Sequence, residues 1–155
     1  MAVLVVRPAR DDDREFVYRL AMDPTVREAS TRSDEFTPEQ HRQWWDRRFN
    51  DPSTRIYIAE SDQPIGYVRY GRVKGRAEAE IAIAVDADSR GQGIALDMLT
   101  MTQPLAVTAL GVSQFTALVV VGNESSSRLF AKAGYRMTKW QERMHKQHQR
   151  WEKAA

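Results

Sequence analysis

Cysteine is absent from all 155 residues, which excludes disulfide scaffolds, thiolate zinc sites and cysteine nucleophiles. Long apolar runs are missing as well. The longest near the start, Ala2 to Val6, is five residues and gives way to Arg7 and Pro8, too short for a secretory h-region or a membrane span. Nor does one sign of charge dominate: 23 Lys and Arg against 21 Asp and Glu leave a net charge of +2. A pI near 9.0 therefore does not imply a nucleic-acid binder driven by counterion release. With neither an export signal nor cysteine, the expected setting is cytoplasmic, with no membrane and no nucleic-acid partner. What is present, 42% hydrophobic and 28% charged residues, suits one domain over 1–155, at roughly 100–200 residues per domain.

The chain alternates strand-like and helix-like segments. Short β-branched or alternating runs predict strands at 3–7, 55–60, 65–73, 78–85, 114–121 and from 135 to about 140. Asp11 to Asp13 open a helix carrying Phe16, Val17 and Leu20, which Asp23-Pro24 stops. Residues 29–36 read as a loop. Thr37-Pro38-Glu39-Gln40 supplies a cap, a first-turn proline and a capping-box glutamine for a helix to about Phe49. A helix from about Gly91 to Leu110 contains Pro104, which is expected to kink or split it. Another runs from Asn123 to Ala133 and ends at Gly134. This order argues an α+β fold, a mixed sheet with helices on both faces. Lys139, with Arg143, Lys146, Arg150, Lys153, His145 and His148 of the tail at 141–155, makes a basic run that reads as a solvated helix face or a contact in a homodimer.

The chemistry is concentrated in Val85 to Ala95, where a strand enters a loop with two glycines that opens a helix. Glycine lets a ligand approach the backbone, the first-turn N–H groups lack partners, and the helix dipole is positive there. An anion fits, and a pyrophosphate is its natural form. The Walker ending Gly-Lys-Ser/Thr and the three-glycine dinucleotide fingerprint are both missing. Arg90, Gly93 and Ala95 instead match Arg/Gln-x-x-Gly-x-Gly/Ala, which resembles the acetyl-CoA pyrophosphate loop of the GNAT N-acetyltransferase superfamily. Downstream, Asn123-Glu124-Ser125-Ser126-Ser127-Arg128-Leu129-Phe130-Ala131-Lys132-Ala133-Gly134-Tyr135 is similar to that family's Asn-x-x-Ser-x-x-Leu-Tyr/Phe-x-Lys-x-Gly-Phe/Tyr segment.

The resemblance implies a mainly antiparallel sheet of six to seven strands with a splayed central pair. It also implies acetyl-CoA as co-substrate without a metal, and an amine that attacks the donor directly. Main-chain groups of Ile83, Ala84 and Val85 would bind the pantetheine arm, and a strand N–H would stabilise the developing oxyanion. The loop residues Arg90, Gly91, Gln92, Gly93, Ile94 and Ala95 would hold the pyrophosphate, with Asn123, Ser126 and Phe130 also at the cofactor. The acetyl-CoA half is 78–140 and the acceptor half 1–73.

A protonated amine cannot attack, so a base or a water chain is required. Glu80 is the first candidate. Period-two alternation sets it with Glu78, Ala82 and Ala84 on one face of its strand, and an ion pair with Arg69 is the alternative role. His41 is the second candidate, with a suitable ordinary pKa and an expected surface position on its helix. The family's usual proton donor to the leaving thiolate is a tyrosine, but Phe130 stands there. Tyr135, Ser126, Tyr70 or water remain, and a thiol's ordinary pKa of about 8.5 makes a dedicated acid less necessary. Residues 31–45 and 56–70 are similar to a GNAT branch that acetylates nucleotide-linked amino sugars. For such a substrate Trp44, Trp45, Tyr67 and Tyr70 would stack, and Arg32 or Arg69 would meet a diphosphate. Peptide amines, polyamines and aminoglycosides are rival acceptors, and an acyl-CoA-binding module without turnover is the rival class.

Overall fold

The computed structural model describes residues 3–32 and 34–155; Ala2 of the short apolar run and Ser33 of the 31–36 segment lie outside them. The elements are β1 (Val5–Pro8), α1 (Arg14–Ala21), α2 (Pro24–Ala29), α3 (Pro38–Phe49), β2 (Thr54–Ser61), β3 (Gln63–Arg72), β4 (Glu78–Val85), α4 (Ile94–Leu110), β5 (Gln114–Val120), α5 (Glu124–Lys132), β6 (Arg136–Arg143) and β7 (Lys146–Ala154). One seven-stranded sheet runs β1-β2-β3-β4-β5-β7-β6. Every neighbouring pair is antiparallel except β4 with β5.

Alternating side chains divide the core between the two faces of the sheet. Tyr70, Ile81, Phe115 and Ala117 meet Met98 and Leu99 of α4 and Phe130 of α5 on one face. Ile56, Ile58 and Ala84 meet Phe16, Val17 and Leu20 of α1 and Trp45 of α3 on the other. Gly66 makes the first packing possible. A Cβ there would stand 2.9 Å from the Ala84 carbonyl oxygen and 3.1 Å from the Met98 sulfur.

Three local expectations change. Asp23-Pro24 ends α1 but also starts α2: the Asp23 carboxylate accepts from the Thr25 and Val26 N–H groups, with proline in the first turn. Pro104 neither splits α4 nor interrupts its run from Ile94 to Leu110. It lies on the solvent side, as does Thr100 one turn back, so water can satisfy the carbonyl that loses its donor. The tail is not helical. Residues 136–154 form the β6–β7 hairpin, and β7 inserts between β5 and β6.

Candidate active site

β4 and β5 pair only at Glu78↔Gln114, Ala79↔Phe115 and Glu80↔Thr116. Beyond Glu80 the strands continue to Val85 and Val120 without pairing to each other. The β4 edge over Ile81 to Val85 that faces β5 therefore lacks a ladder partner, while the opposite edge stays bonded to β3. Backbone polar groups inside a sheet are otherwise paired, so this gap is a place where an extended ligand can bond to main chain. The main-chain groups that face it are those of Ile81, Ile83 and Val85, with the Val85 carbonyl taken by Arg90, whereas Ala84, expected with them, turns its N–H and carbonyl to Tyr67 of β3.

The gap opens onto the β4–α4 loop. Gly91 and Gly93 hold φ of 75° and 76°, a left-handed conformation that favours glycine, and a Cβ on either would meet nothing within 4 Å. The first N–H of this stretch with a backbone acceptor is that of Asp97, bonded to the Gly93 carbonyl. Among the described residues the N–H groups of Gly91, Gln92, Gly93, Ile94, Ala95 and Leu96 have no acceptor. Together with the α4 dipole they form a cradle for an anionic diphosphate. Arg90 turns away from that cradle: its Nε donates to the Val85 carbonyl at 2.9 Å and its Nη2 lies 3.5 Å from Asp23 Oδ1. It ties the loop to the start of α2.

At the closed end of the gap stands Glu80, half-buried, with Oε1 receiving a hydrogen bond from Arg143 Nη1 at 2.7 Å. The expected partner, Arg69, does not reach it. Next to it Glu78 is buried and accepts from Arg150 Nη2 at 3.1 Å on both oxygens, while Arg150 Nε also donates to Glu152 at 2.7 Å. The hairpin tip is anchored on the acceptor half. Lys146 Nζ donates to the Ser30 carbonyl at 2.8 Å, and fully buried His148 places Nε2 2.9 Å from the Thr31 hydroxyl.

His41 is not on the surface. It is 3% exposed, stacked on Phe36 at 5.8 Å and flanked by Tyr18 and Trp44. Its Nε2 has no hydrogen-bond partner among the described residues. Burial, reinforced by Arg14 and Arg27, pushes its pKa down to about 4. Tyr135 is also in the core, in edge contact with Phe130 at 5.1 Å, and its hydroxyl accepts from Gln103 Nε2. Burial raises its pKa well above the usual phenol value. Tyr70 lies on the same face with its hydroxyl 2.7 Å from that of Thr102. Trp45 is fully buried and donates to Asp11. Of the four aromatic residues expected to stack on an acceptor, Trp44 and Tyr67 alone remain part-buried. Asn123 caps α5: its carbonyl oxygen accepts from the Ser126 N–H at 3.3 Å and its Nδ2 donates to Ser126 Oγ at 3.0 Å. A groove of about 450 Å³ beside this cap is lined by Asn123, Ser127, Arg128, Gln149 and Trp151.

Residues 4–136 match the family described as acetyltransferase (GNAT) domain. The chain belongs to the GNAT acetyltransferase family. It is accordingly an acyltransferase that uses acetyl-CoA. No curated protein sequence matches it. Among solved structures it is similar to spermidine N-acetyltransferase from Vibrio cholerae in complex with CoA and spermine, at TM-score 0.85 and 16% identity over 97% of this chain and 95% of that one. It is similar also to ribosomal-protein-alanine N-acetyltransferase from Brucella melitensis, with TM-score 0.82 and 21% identity over 97% and 99%. A GNAT-family acetyltransferase from Streptococcus pneumoniae gives TM-score 0.80 and 16% identity over 98% and 99%. At these identities the likeness is one of fold.

The splayed pair and the glycine loop of this GNAT chain suit an extended donor with a diphosphate. Arg143, Arg150, Glu78 and His148 escaped sequence reasoning. The available signal was the alternation of His148, Arg150 and Glu152, which puts all three on one face of a strand.

Proposed function

We propose that this GNAT enzyme acetylates a primary amine by direct attack, with Glu80 receiving the amine proton through a bridging water. The observation that carries this reading is the position of Glu80 at the residue where β4 and β5 part. A carboxylate held at the end of the donor channel stands where the attacking nitrogen must lose its proton. His41 is the weaker candidate, because it is enclosed by aromatic rings and has lost basicity.

Acetyl-CoA supplies the activated thioester carbon. The chain's own groups do the rest. Unpaired main chain at Ile81 and Ile83 and the Val85 N–H align the donor arm, and a β4 N–H offers stabilisation to charge developing on the carbonyl oxygen. The N–H groups from Gly91 to Ala95 take the pyrophosphate, with Arg90 bracing the loop. Asn123, Ser126 and Phe130 border the donor from α5. The hydroxyls of Tyr70 and Tyr135 are committed to Thr102 and Gln103, which leaves Ser126 or water as the proton source for the departing thiolate.

The relatives named above act on a polyamine and on a protein amine; the first-half resemblance favours a nucleotide-linked amino sugar, with Trp44 and Tyr67 as the stacking surface. CoA release and product mass across these amine classes test the reading. Transfer to one class, lost in Glu80→Gln, supports it. Acetyl-CoA binding with transfer to none overturns it in favour of a binding module, the reading that Phe130 favours.

A further inference from the structure

The charges on the acceptor face do not balance. Glu80 is held by Arg143, and Glu78 and Glu152 by Arg150. Arg32 is paired with Asp34. Arg69 differs: among the described residues it has no acid partner and donates no hydrogen bond. It sits mid-β3, part-buried, with its guanidinium 5.5 Å from the Trp44 ring centre. Arg48 of α3 adds like charge near it, and Glu80, already bonded to Arg143, is the acid within electrostatic reach. A guanidinium withdrawn from water beside a second cation is unfavourable unless something else supplies the anion.

The register shows where that anion would lie. Arg69 stands opposite Ala82 and Gly71 opposite Glu80, so Arg69 and Glu80 are diagonal neighbours on one face, roughly 7–8 Å apart. Between them the sheet carries little bulk. A Cβ on Gly71 would meet only Arg69 Nη1, at 3.9 Å.

We infer that the acceptor is a small amine carrying a carboxylate or phosphate within a few bonds of its nitrogen, with Arg69 the specificity residue that takes that anion beside Glu80. The inference rests on amine acetylation at Glu80 and sets the nucleotide-linked amino sugar aside in favour of a smaller anionic amine. Guanidinium suits the role because its fork binds either anion in two-pronged fashion. A polyamine would bring a second cation to a face whose acids are already paired.

The test uses matched amines: O-phosphoethanolamine with ethanolamine, β-alanine with its amide, and spermidine. Binding in the presence of CoA is read by calorimetry and transfer by CoA release. The anionic member of at least one pair is expected to be favoured about ten- to hundredfold, the span of a charge-assisted hydrogen bond. The larger ratio identifies phosphate or carboxylate. Arg69→Gln should collapse the ratio, and Arg69→Lys, which keeps the charge but not the fork, should keep only part of it. Equal binding within both pairs, preference for spermidine, or a ratio that survives Arg69→Gln overturns the inference. An Arg69-dependent anion preference in binding, with no transfer, supports the inference and overturns the acetylation reading. Transfer without that preference does the reverse.

Discussion

Arg143 Nη1 lies 2.7 Å from Glu80 Oε1 although 63 positions separate the two residues. The contact joins the tip of the β6–β7 hairpin to the residue at which β4 and β5 separate. It fixes one carboxylate oxygen and leaves the other without a hydrogen-bond donor among the described residues. Both side chains are more than a third exposed, so water reaches the pair, as a proton relay requires.

Glu80→Gln preserves shape and removes the proton acceptor. The rate at neutral pH is expected to fall about 10²–10⁴-fold and to recover as pH rises, because the amine then deprotonates unaided. A full pH–rate profile checks this, and a variant as fast as the wild type at neutral pH removes Glu80 from the mechanism.

Arg143→Met separates catalysis from stability. An ion pair this exposed contributes less than about 1 kcal/mol, so the melting temperature should barely move. The turnover number should drop about ten- to hundredfold as the carboxylate loses its fixed orientation. A large loss of stability with turnover intact would assign Arg143 a purely structural role.

Gly93→Val places a β-branched residue at φ of 76°, a strain of about 1–2 kcal/mol, and displaces the N–H groups that begin α4. Acetyl-CoA affinity measured by calorimetry should fall below detection while circular dichroism still reports a folded protein. Retained affinity would argue against the pyrophosphate cradle.

His41 links stability to acid. Its folded pKa of about 4 lies below the ordinary 6.5, so the unfolded chain binds the extra proton between those values. The stabilisation is complete above pH 6.5 and declines as pH falls toward 4, by about 3 kcal/mol in all. Urea unfolding across this range should show the decline, and His41→Leu should flatten it. Equal slopes for wild type and variant would show that other groups govern acid lability.

The glycine loop and the start of α5 at Asn123 were legible because both are local. A left-handed backbone at Gly93 and an amide at Asn123 reaching Ser126 depend on residues a few positions apart. The tail was not legible. Lys139, Arg143, Lys146, Arg150 and Lys153 recur every three or four residues, a helical spacing, whereas β7 buries His148 and pairs Arg150 with acids. Hydrophobic periodicity cannot detect a strand whose inward side chains are polar and ion-paired. The same limit applied to His41: whether a polar helix position faces water depends on Tyr18, Phe36 and Trp44, and α3 alone does not specify them.

From sequence alone came the order of strands and helices up to Tyr135 apart from α2, and the glycine loop that opens α4, since propensity, capping and glycine conformation act over a few residues. The tertiary structure decided which charges meet. Inserting β7 beside β5 brings Arg150 to Glu78 and the hairpin tip to Glu80, leaving Arg69 without an acid partner among the described residues. Such pairings follow from the sheet order of strands more than sixty residues apart, and no local preference encodes that order.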